Sequence, residues 1–101
     1  MDIVNAVSKV RFATARPQRV HLAKGAGQLV EMICLEAGQE VTVASGPWVY
    51  YVVAGTARLV SAGGQGTLGP GHLACLGAQE SHTVSNAGEG RLICLALTAP
   101  V

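Results

Sequence analysis

Short apolar segments separated by glycine- or proline-containing turns run through the whole chain. The turns recur mostly every 8 to 12 residues, a spacing typical of an all-β sandwich or barrel. Helical periodicity is weak except at residues 2–8. The segments between the turns predict strands near residues 19–23, 28–36, 40–44, 48–54, 56–62, 72–76, 81–86 and 91–98. The pattern therefore predicts an all-β fold.

Two of the predicted strands, Val49 to Val53 and Leu92 to Leu97, are apolar on both faces. One face of each strand packs in the core, so the other face needs a partner. Only 13% of the residues are charged, about half the usual share for a soluble protein. In a domain this small the expected partner is a second copy, and the sequence predicts a homodimer.

A chain of 101 residues, half of them hydrophobic, is long enough for one domain with one core. Residues 28–98 are predicted to form the barrel, and residues 1–27 an N-terminal arm with an edge strand. Apolar residues alternate in the arm through Phe12, and Pro17 interrupts the segment after it. This pattern fits either a strand that crosses to the partner or a frayed arm.

The charge distribution gives no sign of a nucleic-acid-binding surface. Such a surface needs basic residues interleaved with aromatic ones, and only Phe12 accompanies the basic residues of the first quarter. A solvated strand edge or a dimer contact is the expected role for these basic residues. They are Lys9, Arg11, Arg16, Arg19 and Lys24.

No membrane segment or targeting signal is expected. Residues 59–79 hold no charge, but they contain six glycines and Pro70, whereas a membrane span needs about 20 mostly apolar residues in continuous helix. The N-terminus, with Asp2 and no sustained apolar run, does not resemble a signal peptide. A cytoplasmic location is therefore the expectation.

The three cysteines, Cys34, Cys75 and Cys94, show no C-x-x-C spacing. Neither a disulfide framework nor a thiolate metal cage is indicated. Each cysteine lies in an apolar segment, so ordinary core packing is expected.

Residues 28–98 resemble the cupin superfamily. The resemblance rests on the order of the strands, on the Leu35-Glu36-Ala37-Gly38 turn, on the strand and turn from Val49 to Gly55, on Leu68-Gly69-Pro70-Gly71, and on His82 followed by Asn86. It implies a small jelly-roll barrel, usually dimeric, which in many members holds a divalent metal. The fold expected from it is a single-domain, cupin-type jelly-roll barrel.

The family's metal-binding positions are mostly lost in this sequence. In the second motif, G-x5-P-x-G-x2-H-x3-N, the glycine, histidine and asparagine positions hold Gly71, His82 and Asn86, while Gly77 and Gln79 replace the proline and second glycine. In the first motif, Gly38 and Gly55 are kept. The two histidine positions hold Ala44 and Gly46, and the glutamate position falls near Trp48.

One imidazole does not hold a transition metal against water, because such sites need three or four donors. His82 is the only retained ligand position, so neither a metal nor another cofactor is expected. A metal-dependent enzyme with rebuilt ligands stays open as an alternative. Its candidate ligands are His72, Cys75, Glu40 and Glu80.

If the barrel follows the family, His82 points inward, and period-2 alternation places Trp48 and Tyr50 inward as well. These side chains, with His72 as a further lining residue, predict an aromatic-lined cavity for a small, mostly apolar or planar molecule. The leading hypothesis is therefore a non-catalytic, ligand-binding barrel. Equally open is an interior that the same side chains simply fill.

Two further hypotheses remain. His82 and Tyr50 are the catalytic candidates for metal-free isomerase or epimerase chemistry, with imidazole and phenol exchanging a proton with the substrate. Glu80 is the only obvious carboxylate near His82 in the sequence. A pure dimerising or partner-binding module would need no cavity at all.

Overall fold

Nine antiparallel strands and one short 3-10 helix form the described part of the chain. The structure is a computed structural model, and it describes residues 1, 3–25, 27–44 and 46–99. After the 3-10 helix at Val7–Lys9, the strands are β1 (Gln18–Gly25), β2 (Gln28–Leu35), β3 (Glu40–Val43), β4 (Trp48–Ala54), β5 (Ala57–Ser61), β6 (Gly64–Leu68), β7 (Leu73–Leu76), β8 (His82–Asn86) and β9 (Leu92–Thr98).

The strands form two sheets. One sheet has the order β1-β2-β9-β4-β7 and the other has the order β3-β8-β5-β6. Alternate side chains of both sheets meet in one core, as expected when apolar residues repeat with period 2. The core includes Ile33, Leu35, Val43, Trp48, Tyr50, Val52, Leu59, Leu68, Val84, Leu92 and Cys94. The all-β fold class predicted from the sequence is confirmed.

The sequence missed one strand, β6. Its inward positions are Gly64, Gly66 and Leu68, and two glycines give no apolar signal. The strand forms because it pairs with β5 from Ser61↔Gly64 to Ala57↔Leu68. Pairing, and not local propensity, therefore determines this element.

The predicted helical tendency at residues 2–8 is realised only as the short 3-10 helix at Val7–Lys9; Asp2 lies outside the described residues. In the part of the chain that the structure describes, no helix is long and apolar enough to span a membrane.

The N-terminal segment packs on the outer face of β2. Met32 and Cys34 point away from the core formed by Ile33 and Leu35, yet both are buried. The Arg11 backbone lies near the Cys34 thiol and partly offsets the effect of burial on the pKa of that thiol. This segment therefore shields part of the outer face of the five-stranded sheet.

Candidate functional site

Tyr50 and His82 form a buried hydrogen-bonded pair in the middle of the core. The Tyr50 hydroxyl lies 2.5 Å from Nε2 of His82, and Nδ1 of His82 lies 3.0 Å from the carbonyl oxygen of Glu80. A carbonyl oxygen can only accept a hydrogen bond, so Nδ1 carries the proton and donates a hydrogen bond to the backbone oxygen of Glu80. In the neutral imidazole, Nε2 then accepts the hydrogen bond that the Tyr50 hydroxyl donates.

Trp48 extends this pair into an aromatic stack. Its ring lies 5.9 Å from the ring of Tyr50, with 12° between the planes. The structure thus brings together Trp48, Tyr50 and His82, which were predicted to face inward, His82 from the family resemblance and the two aromatic residues from strand alternation. His72 is not with them. It is exposed in the turn before β7, and its Nδ1 accepts a hydrogen bond from the Gly69 N–H at 2.7 Å.

A buried carboxylate, Glu31, lies in the same interior and was not identified from the sequence. Its side chain is only 4% exposed. Oε1 lies 2.6 Å from Nη2 of Arg19, and Oε2 lies 2.8 Å from Nε2 of His21. The Arg19 guanidinium carbon also lies 5.7 Å from the centre of the Trp48 ring. A buried carboxylate is therefore paired with two basic side chains of β1 that are more exposed, and one of them, Arg19, packs against the Trp48 ring.

The sequence carried a weak signal for this ion pair. Glu31 is the only charge in the apolar segment at residues 28–35, and a charge at a core position needs a partner. The register of β1 on β2 supplies that partner, because it places His21 directly opposite Glu31 and Arg19 opposite Ile33. Arg19 lies on an edge strand and is exposed, as the predicted solvated edge implies, but only the paired strands show that its guanidinium reaches Glu31.

Burial keeps the Tyr50 phenol and two buried thiols protonated. Desolvation raises the pKa of the Tyr50 phenol above its ordinary value, and the nearby charge of Arg19 offsets only part of this effect. Burial also raises the pKa of the Cys94 thiol to about 12 and raises the pKa of Cys34. These two buried thiols are therefore inert, whereas Cys75 is exposed. The core packing expected for all three cysteines is found only for Cys94, because Cys34 faces away from the core and Cys75 is on the outer face of β7.

The donor set does not fit a transition metal. Both ring nitrogens of His82 already have partners, and Ala44, Gly46 and Trp48 offer no ligand atom at the other family positions. In residues 3–25, 27–44 and 46–99, no group of three His, Cys, Asp or Glu side chains converges. A site of this kind needs at least three such donors.

The alternative set of ligands does not converge either. Glu40 and Cys75 are exposed, on β3 and β7. The Glu80 carboxylate accepts hydrogen bonds from the Ser61 hydroxyl and the Gly77 N–H. Only its backbone oxygen reaches His82, so Glu80 does not orient the imidazole through its side chain.

A cavity of about 390 Å³ lies at one end of the five-stranded sheet, where β2 and β4 begin and β7 and β9 end. A smaller cavity of about 200 Å³ lies beside β6 and β7. Tyr50 and His82 line neither of them. The larger cavity is lined by Gln28, Leu29, Val30, Pro47, Trp48, Val49, Cys75, Leu76, Leu97, Thr98 and Ala99.

The chain is similar to several solved structures over nearly its whole length. The TT1209 protein from Thermus thermophilus superposes with a TM-score of 0.91 at 22% identity, covering 99% of this chain and 98% of the other. An uncharacterised conserved protein with a double-stranded β-helix domain from Klebsiella pneumoniae gives 0.86 at 22% identity, covering 99% and 90%.

A third similar structure is an RmlC-like cupin protein from Desulfovibrio desulfuricans, with a TM-score of 0.81 at 18% identity over 100% of this chain and 99% of the other. No family model matches the sequence. No curated protein matches it. The two sheets thus form a double-stranded β-helix barrel. More specifically, the fold is that of the small cupin proteins, as the resemblance in the sequence implied.

Proposed function

We propose that the chain is a non-catalytic barrel that binds a small planar or apolar molecule without a transition metal. The observation that supports this most is the cavity of about 390 Å³ at Trp48. Its volume falls within the range of roughly 300–1,000 Å³ that ligand cavities occupy, and such cavities are mostly apolar with a few polar groups. Here Gln28 and Thr98 are the polar residues of a largely apolar lining.

The aromatic residues give this cavity a rigid side. Trp48 is held by its stack on Tyr50, and Tyr50 is held by its hydrogen bond to His82. Side chains that are already locked lose little conformational entropy when a ligand binds. In this proposal Tyr50 and His82 support Trp48, and they do not touch the ligand.

The same geometry favours binding over acid/base catalysis. A general base must come within about 3 Å of the proton that it removes. Tyr50 and His82 are buried against each other and line neither cavity, so a substrate would have to break their hydrogen bond first. An isomerase or epimerase using His82 and Tyr50 remains the second hypothesis, and turnover that is lost in His82→Gln with the fold intact would favour it.

The ligand proposal is tested with the protein's single tryptophan. The indole N–H signal of Trp48 in proton–nitrogen correlation spectra is followed while indole or coumarin is added. We expect a saturable shift. Ala99→Phe, at the exposed rim of the cavity, should weaken binding by at least about tenfold. The matched control Ala37→Phe, in an exposed turn away from the cavity, should leave binding unchanged.

Absence of a saturable shift with both probes, or equal binding in the two phenylalanine variants, contradicts the proposal. Metal analysis of the purified protein tests the second part of the proposal, that the barrel binds no transition metal. A stoichiometric transition metal that is lost in His82→Ala would contradict a metal-free barrel.

A further inference from the structure

The cavity of about 200 Å³ lies between β6 and β7, which are edge strands of different sheets. The inward positions of β6 at this point are Gly64 and Gly66, which have the same orientation as the core residue Leu68. The absence of side chains at these two positions leaves the space beside the strand open.

The lining of this cavity has an apolar part and a polar part. One part is apolar and is formed by Leu59, Leu68, Ala74 and Leu76. The polar part is formed by Ser61, Gln65 and Glu80. Ser61 Oγ donates to Glu80 Oε1 at 3.1 Å, and the Gly77 N–H donates to Oε2 at 2.8 Å. The carboxylate is therefore held at the polar side of the cavity, which also has apolar side chains in its lining.

Gly63 makes room for this carboxylate. A Cβ atom built at position 63 would lie 2.6 Å from Oε1 of Glu80. A larger residue would push the carboxylate away from Ser61. The local sequence thus keeps Glu80 in place at the cavity.

The carboxylate has no counter-charge in the described part of the chain, since no Lys, Arg or His nitrogen forms an ion pair with Glu80. An ionised carboxylate has about four lone-pair sites, and Ser61 and Gly77 use two of them. Charge-assisted hydrogen bonds to an ammonium group are roughly twice as strong as neutral ones. From these contacts, we infer that the cavity binds a small alkylammonium ion, with its charge on Glu80 and its alkyl chain among the leucines.

The volume limits the size of this ligand. A water molecule takes up about 30 Å³ of liquid, so a cavity of about 200 Å³ holds about six non-hydrogen atoms. Butylammonium, with a short alkyl chain and one charge, has the matching size and character. Butanol has nearly the same shape and no charge, so it is the matched neutral probe.

The test is a titration of the full chain with butylammonium or butanol. The backbone amide signals of Gly64 and Gly66 in proton–nitrogen correlation spectra report binding. We expect butylammonium to give a saturable shift, and butanol to bind at least about tenfold more weakly. Glu80→Gln should remove the preference for the cation. Glu40→Gln, at an exposed carboxylate on β3, should keep it. The Trp48 indole signal should not move, which separates this site from the larger cavity.

Equal binding of the two probes, no saturable shift with butylammonium, or an unchanged preference in Glu80→Gln would each overturn the inference. If Glu80→Gln does not fold, Gly63→Ala provides the second variant, because its Cβ displaces the carboxylate while keeping the charge. It must also lower the affinity for butylammonium. The two cavities share Cys75 and Leu76 in their linings, but this test can fail without the proposed function failing, because it depends on the Glu80 carboxylate and on a charged probe.

Discussion

A single hydrogen bond between Tyr50 and His82 organises the centre of the barrel. The imidazole has a donor and an acceptor, and both are used, one by Tyr50 and one by the Glu80 carbonyl. In the part of the chain that the structure describes, every buried side-chain nitrogen or oxygen has a partner. Polar groups are tolerated in this core only because the set is complete.

Removing the Tyr50 hydroxyl should therefore be costly. In Tyr50→Phe, Nε2 of His82 stays buried and loses its partner, so we expect the free energy of unfolding to fall by about 1–3 kcal/mol. Urea denaturation at fixed pH and protein concentration measures this loss. Thr42→Val removes an exposed hydroxyl that lies 3.4 Å from Thr83 and should change stability by about 0.5 kcal/mol or less. Similar losses in the two variants would show that the Tyr50–His82 bond has no special importance.

Residue-level alternation predicted this group in part. Trp48 and Tyr50 face inward because they are two apart on one strand, and His82 joins them from the facing sheet. Alternation could not predict the orientation of His72, because this residue lies in a turn and the period of 2 applies only within strands. It also missed the ion pair of Arg19 with Glu31, because clustered basic residues ordinarily indicate a solvated surface.

At the scale of elements, the edge strand β1 contributes polar side chains to the interior. Its inner face presents Arg19 and His21 to Glu31 on β2. An edge strand has one open side, so the guanidinium of Arg19 stays about one-third exposed while the carboxylate of Glu31 is buried. The pairing of β1 with β2, and not the sequence of either strand alone, creates this ion pair.

Arg19→Met should destabilise the protein, because it leaves the buried carboxylate of Glu31 with only His21. Loss of one partner of a fully buried pair costs about 3–5 kcal/mol. Partial exposure of Arg19 reduces the expected loss to about 1–3 kcal/mol. Arg91→Met breaks the exposed pair with Glu36 and should cost about 1 kcal/mol or less.

The double variant Arg19→Met/Glu31→Leu separates the pair from the packing of Arg19. Replacing both charges with apolar residues should restore most of the stability lost in Arg19→Met, since no unpaired carboxylate remains. Urea unfolding of the wild type and the variants gives the coupling energy. A double variant as unstable as the sum of its single variants would contradict the role assigned to Glu31.

Strand β6 shows what sequence patterns miss at this scale. Glycines at its inward positions hide the alternation that identified the other strands, and they also open the cavity that Glu80 lines. The element that was hardest to predict is therefore the one that leaves space for a ligand. Packed strands such as β4 and β9 were predictable because their apolar residues fill space.

At the scale of the whole molecule, an uncharged apolar surface remains on the five-stranded sheet. We call it the outer face of β4, β7 and β9. Leu73 is 60% exposed on this face, and Tyr51, Val53 and Leu97 are between 38% and 45% exposed. The outward positions are Val49, Tyr51, Val53, Leu73, Cys75, Ile93, Leu95 and Leu97.

We propose that a second copy of the chain covers this face. A charged partner has nothing to pair with there, whereas two identical apolar faces are self-complementary about a two-fold axis. Val49, Cys75 and Leu97 also line the cavity at Trp48, so a second copy would close the outer side of that cavity. The sequence predicted the same partner from strands that are apolar on both faces.

A lysine placed on this face should separate the copies. In Val53→Lys, burying the new ammonium against an apolar partner is costly, so we expect a shift from dimer to monomer in sedimentation experiments at micromolar concentration. Val60→Lys is the matched control, because Val60 lies on the other sheet and is 41% exposed, against 45% for Val53. It should leave the dimer intact. A wild-type chain that sediments as a monomer would contradict the proposal. Dissociation of both variants would also contradict it, because the effect would then not be specific to the outer face of β4, β7 and β9.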